Sequence, residues 1–224
     1  MTTARVKVVL FDLDGTLLDT APDMAAALNA LRASEGLGPL PFCELRPLVS
    51  HGASALVRCG FPRATEAQFA DLRARFIETY GRALLVETRP FAGLLEALAR
   101  LEAAGLRWGI VTNKPEHLTG PLLERLGLSA RASVVVSGDT LAQRKPHPAQ
   151  LLHAVQALGL SAHECIYIGD AERDVLAAYA ADIPVFVALY GYIPAHESPL
   201  DWPAQGWLDS PQTLIGLLDS LCDP

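Results

Sequence analysis

The chain has few cysteines and no pattern among them. Cys43, Cys59, Cys165 and Cys222 are scattered, with no CxxC pair and no zinc spacing. Free thiols in a reducing cytoplasm are expected instead. Long apolar runs are also missing: none approaches the roughly 18 residues needed to span a bilayer. The opening MTTARVK is not followed by the apolar core of a signal peptide. The expectation is a cytoplasmic protein with no membrane partner. Basic residues are in deficit, 18 against 25 acidic ones, for a net charge of −7. Such a chain is ill suited to binding a nucleic-acid backbone. An anionic substrate stays open, because a metal or a local cluster can reverse the field inside a site.

Other signatures are absent as well. No GxGxxG follows a strand pattern, and neither GxxxxGKS nor GxxxxGKT occurs, so the glycine-rich nucleotide loops are excluded. The six histidines form no HExxH and read as surface or supporting groups. A calcium loop starting at Asp12 would need glycine at its sixth position, where Leu17 stands.

The 224 residues are 50% hydrophobic and 19% charged, enough for a real core and one or two domains. Strand and helix patterns alternate. Val6 to Phe11 is a continuous apolar run, as in a strand covered on both faces. Thr20 is a candidate helix cap ahead of Pro22, and Met24, Leu28 and Leu31 follow at helical spacing up to Gly36. Thr65 opens a second helix, with Phe69, Leu72, Phe76, Ile77, Tyr80 and Leu84 along one stripe. Nothing from 20 to 86 reads as a strand. Beyond it, helices are expected at 94–104, 116–126, 148–158, 172–181 and 211–221. Between them, LRWGIVTN, SVVVSGD, ECIYIGD and PVFVAL read as strands. Residues 190–210, with three prolines and two tryptophans, read as an ordered loop.

This alternation predicts an α/β fold: a doubly wound, Rossmann-like parallel sheet with a small α-helical cap domain inserted after the first strand. The expected division is a core of residues 1–18 and 88–224 and a cap of 19–87, with linkers near 17–20 and 86–90. Sites in open parallel sheets form beyond the carboxyl ends of the strands. There the sequence places Asp12, Asp14, Gly15 and Thr16, then Thr112, Asn113 and Lys114. Ser137 and Asp139 follow, then Lys145, and finally Asp170 with Asp174. Each alone has a plain reading as a cap, turn or solvated charge.

Together, DLDGT at 12–16, Thr112 in TNKP, Lys145 before a proline and GDAERD at 169–174 resemble the haloacid dehalogenase superfamily of phosphohydrolases. The resemblance covers nearly the whole chain. It implies a phosphate ester as substrate, Mg²⁺ as cofactor and a helical cap. It implies Asp12 as nucleophile, forming an aspartyl-phosphate, and Asp14 as general acid and then base. Asp12, the Asp14 carbonyl and Asp170 would hold the metal, with Asp174 behind them. Thr112 and the Asn113 amide would hold phosphoryl oxygens, and Lys145 would neutralise charge. Two anions beside a phosphate dianion do need a cation, and Mg²⁺ takes such oxygen ligands. Positions i and i+2 of an extended segment point the same way, so Asp12 and Asp14 can reach one substrate.

Within the superfamily the chain is similar to phosphoglycolate phosphatases. LRWGIVTNKP and the tail VALYGYIPAHESPLDWPAQGWLDSP look more like phosphatases of N-acetylmuramic acid 6-phosphate. A phosphomutase keeps the same site, whereas a dehalogenase would need only the first aspartate. A phospho-acceptor signalling domain shares the acidic cluster, but it lacks the insertion and places its acceptor after a middle strand. Both candidate substrates carry a carboxylate, which invites arginine or histidine from the cap: Arg46, His51, Arg58 and Arg63. SHGAS, residues 50–54, is the expected loop dipping toward the site, through His51 or the Gly52 amide. As an assembly, a monomer or small homo-oligomer is expected.

Overall fold

The computed structural model describes residues 6–222, with side chains through residue 217. The start of MTTARVK and the Cys222 thiol lie outside the described parts. In chain order the elements are β1 (Val8–Phe11), β2 (Leu18–Asp19), α1 (Ala21–Ser34), α2 (Phe42–Leu45), a 3₁₀ turn (Arg46–His51), α3 (Gly52–Gly60), α4 (Glu66–Arg82), β3 (Arg89–Pro90), α5 (Leu94–Ala103), β4 (Arg107–Val111), α6 (Glu116–Arg125), β5 (Val135–Val136), α7 (Ala149–Ala157), β6 (Cys165–Gly169), α8 (Glu172–Ala180), β7 (Val185–Ala188), β8 (Gly206–Leu208) and α9 (Pro211–Cys222). Among the described residues, no helix is long and apolar enough to cross a membrane.

Six parallel strands form one sheet in the order β5-β4-β1-β6-β7-β8. β1 is fully buried because helices cover both faces. Val9 and Phe11 face a layer holding Leu94, Leu98 and Leu214, while Val8 and Leu10 face Leu151, Val155 and Val175. The register brings the strand ends level. Phe11 sits between Ile110 and Ile168, and Val111 lies beside Val136. Asp12, Thr112, Ser137 and Asp170 therefore leave the sheet along one edge.

The α1–α4 helices build a core of their own around Leu28, Leu56, Leu72, Phe76 and Tyr80. Thr65 caps α4 through a reciprocal box with Gln68. The chain enters this layer through β2 and leaves it through β3, and the two strands pair antiparallel, Leu18 with Pro90 and Asp19 with Arg89. Buried Asp23 ties the return segment to α1 by accepting from the amides of Val86, Glu87 and Thr88 and from the Thr88 hydroxyl.

Three sequence expectations need correction. Residues 190–210 are not all loop. They contain β8, which extends the sheet beside β7, but three residues are too few to show a period. SHGAS is not a loop either, because it joins the 3₁₀ turn to the start of α3. Thr20 stands at the N-cap of α1 but makes no capping bond, since its hydroxyl donates to Asp14 Oδ1 at 2.6 Å instead.

Candidate active site

Asp12 follows β1, and its Oδ1 accepts from the Leu13 amide at 2.7 Å and pairs with Lys145 Nζ at 2.9 Å. Among the described residues no protein donor meets its Oδ2. The chain then turns at Gly15 with φ +86°, and a side chain there would place its Cβ 2.1 Å from Asp170 Oδ2. Glycine is required on both counts.

Lys145 is buried at the centre. Its Nζ reaches Asp12, Asp174 Oδ1 and the Tyr167 hydroxyl, the last two at 2.7 Å, and the Val111 carbonyl at 2.9 Å. Burial alone would push its ammonium down in pKa, but Asp12 and Asp174 outweigh that and hold it above the ordinary value. Both Asp174 oxygens are engaged, Oδ1 by Lys145 and Tyr167 and Oδ2 by the Ala171 amide. Asp174 is placed to steady Lys145.

Asp170 accepts from Thr16 Oγ1 at 3.2 Å, Ser50 Oγ at 2.5 Å and the Tyr192 amide at 2.8 Å. Burial, then the charges of Asp12 and Asp174, raise its carboxyl to about 7. Burial raises Asp12 to about 6 against the pull of Lys145. Oxygens of Asp12, Asp170 and Asp174 lie within 4.8 Å of one another. With all three ionised, their negative charge would exceed that of Lys145 by two, which is why burial and mutual repulsion raise Asp12 and Asp170. A divalent cation with hard oxygen preference fits that excess.

The Asp14 carboxylate lies outside that group. It is held by Thr20 and by Lys114 Nζ at 3.0 and 3.2 Å. Lys114 also reaches the Tyr80 hydroxyl of α4 at 3.0 Å. Its burial is outweighed by Asp14 and Tyr80, which keep its ammonium above the ordinary range. Asn113 uses its side chain to clamp the main chain of Lys145, bonding both the amide and the carbonyl. Thr112 lines the cavity beside it.

A cavity of about 180 Å³ opens over these groups. Asp12, Asp14, Thr112, Asn113, Lys114 and Lys145 form its floor, and Val49, Phe76, Ile77 and Tyr80 come from the helical layer. Of the four nominated basic residues, only His51 lines it. Arg46 pairs with Asp19, Arg58 pairs with Glu66 over the Phe69 ring, and Arg63 lines a separate surface groove. His51 contacts Arg173 and Glu197; burial and then Arg173 hold its pKa below the ordinary value, against the pull of Glu197. Ser50, not His51, touches the acidic group. Sequence reasoning missed the roles of Ser50, Tyr80 and Tyr192. It recorded Lys114 at a strand end without assigning it. A helical stripe gives no sign that Tyr80 turns its hydroxyl to a lysine.

A family of haloacid dehalogenase-like hydrolases matches residues 9–188. A phosphoglycolate phosphatase of Xanthomonas campestris pv. campestris strain 8004 is 45% identical over 208 residues, 93% of this chain and 94% of that one. An N-acetylmuramic acid 6-phosphate phosphatase of Pseudomonas aeruginosa is 41% identical over 221 residues, 98% of each. Among solved structures, a predicted phosphoglycolate phosphatase from Haemophilus somnus 129PT superposes with a TM-score of 0.85 at 26% identity, covering 97% of this chain and 99% of that one. The family match takes in five of the six sheet strands, β8 lying beyond it, together with the strand-end groups, and the chain belongs to the haloacid dehalogenase-like hydrolase family.

Proposed function

We propose that the chain is a Mg²⁺-dependent phosphomonoesterase that hydrolyses a small phosphorylated metabolite through an aspartyl-phosphate on Asp12. The observation that carries this reading is the pairing of Asp12 with Lys145 at 2.9 Å, while no donor among the described residues meets the other Asp12 oxygen at the cavity floor. Thr112 and the Asn113 amide hold phosphoryl oxygens. Asp12 attacks phosphorus as the ester bond to the leaving oxygen breaks, and Asp14 gives that oxygen its proton. Asp14 then takes a proton from water as the water oxygen attacks phosphorus. The Asp12 oxygen–phosphorus bond breaks and orthophosphate leaves. Asp12, the Asp14 carbonyl and Asp170 would hold Mg²⁺, which would neutralise phosphoryl charge. Lys145 keeps Asp12 ionised and correctly turned.

Residues 19–87 form the cap over a core of 1–18 and 88–224, with the β2–β3 pair as the hinge. The free thiols Cys43, Cys59 and Cys165 suit a cytoplasmic location.

The relatives' names supply two substrates to try. A cavity of about 180 Å³ is below the ~300–1,000 Å³ of drug-sized sites and favours a small ester such as 2-phosphoglycolate. Identity of 41% across 98% of the Pseudomonas relative, tail included, supports N-acetylmuramic acid 6-phosphate as the second reading. The test is release of inorganic phosphate with Mg²⁺ from both compounds and from common sugar phosphates. A kcat/KM well above the others for one of the two is expected. No release from any ester would sink the proposal, and a stable phosphoprotein without turnover would point to an acceptor domain.

A further inference from the structure

α4 carries arginines with different fates. Arg75 pairs with Glu35 and Asp71, and Arg82 pairs with Glu78, all on the surface. Arg73 is half-buried and lines the cavity. Its Nε donates to Ser54 Oγ at 3.1 Å, and no carboxylate lies within ion-pair distance among the described residues. Its guanidinium thus stands at the exposed rim of the cavity that Phe76 and Ile77 also line, with no anionic partner among the described residues. The fold keeps it there although the chain has seven more acidic than basic residues.

Phe76, Ile77 and Tyr80 follow Arg73 at +3, +4 and +7, so one face of α4 fronts the cavity. Tyr80 marks the reacting end, because its hydroxyl meets the lysine that holds Asp14. Arg73 begins two turns away, about 10 Å along the helix. The other cavity arginines are placed differently. Arg173 is committed to the Ser50 carbonyl and His51, and Arg144 is exposed next to Lys145 on the phosphoryl side.

We propose that Arg73 determines specificity by binding a carboxylate on the leaving group, so that carboxylated phosphate esters are the preferred substrate class. The guanidinium fork matches a carboxylate with two parallel hydrogen bonds, and the Ser54 bond at Nε steadies it. This inference rests on the phosphomonoesterase reading of the same cavity.

The test uses matched esters with and without the carboxylate: 2-phosphoglycolate against 2-hydroxyethyl phosphate, and N-acetylmuramic acid 6-phosphate against N-acetylglucosamine 6-phosphate. The wild-type protein is expected to prefer the carboxylated member of at least one pair. Arg73→Met should lower that preference roughly 10- to 100-fold, mainly through KM, and Arg73→Lys should retain part of it. Calorimetry of the same esters in an Asp12→Asn background reads the preference as an affinity ratio without turnover. Should no ester be hydrolysed while the ratio persists and falls with Arg73→Met, the phosphatase reading fails and the carboxylate site stands. A wild-type protein without preference in either pair, by rate or by affinity, overturns the inference. So does a preference that survives Arg73→Met.

Discussion

Asp12 combines burial with a single charged partner, and that combination sets what its loss should do. Asp12→Asn is expected to abolish phosphate release. Retained turnover in a single-cycle assay would remove it as nucleophile. Asp14→Asn should slow turnover by roughly 10²–10⁴-fold, the usual cost of a lost general acid; equal rates for mutant and wild type would rule that role out. The acidic group also makes a prediction about pH. In the metal-free protein Asp12 and Asp170 keep protons up to about 6 and about 7, whereas the unfolded chain releases them near 3.8. Between those values the folded state binds more protons, so these groups make stability fall as pH rises from about 4 to 7. Denaturant midpoints in EDTA should show that slope, and Asp170→Asn should flatten it. At this scale the sequence spoke through residue type at strand ends: Asp12, Thr112, Lys145, Asp170 and Asp174 all stand at the edge where the motifs put them. Ser50 was not legible, because a serine in a helical insertion carries no mark of a partner 120 residues away.

Elements recorded themselves in the sequence according to their length. α4, seventeen residues with a capping box, was plain from its stripe. β8, three residues between prolines, left no period to read. The 3₁₀ turn and α3 were hidden because Gly52, with φ +74°, looks like a loop signal when it marks a junction. The return segment after α4 gives a prediction of its own. Asp23 accepts four hydrogen bonds from residues 86–88, and Thr88 is fully buried. Asp23→Ala leaves those donors without their acceptor and should cost about 2–3 kcal/mol. That is roughly 5–10 °C in a thermal melt for a chain of this size. An unchanged melt would show that the clasp contributes nothing.

For the molecule as a whole, alternation of strand and helix revealed the doubly wound sheet, but not its strand order. Order depends on crossovers and register, and these are properties of distant segments pairing. Only the register shows why residues far apart in the chain meet: Phe11 lies between Ile110 and Ile168. The three carboxylates gathered around one lysine at that meeting point predict a cation-dependent fold as well as a cation-dependent reaction. Mg²⁺ at about 100 times its Kd should stabilise the chain by about 2.7 kcal/mol, a melt shift of roughly 5–10 °C, and EDTA should reverse it. Asp170→Asn should abolish the shift, and a melt indifferent to Mg²⁺ in the wild-type protein would count against the site.

The β2–β3 ribbon has one more consequence. Leu18 faces Pro90 and Asp19 faces Arg89, so about seventy residues of chain depart and come home at a single doorway. Nothing in the six-stranded sheet depends on how far the excursion wanders. A different module could be spliced between those two threads, provided it restored the grip that Ser50 has on Asp170 and Tyr80 on Lys114. Swapping that module with one from a relative is then a direct way to transplant substrate choice.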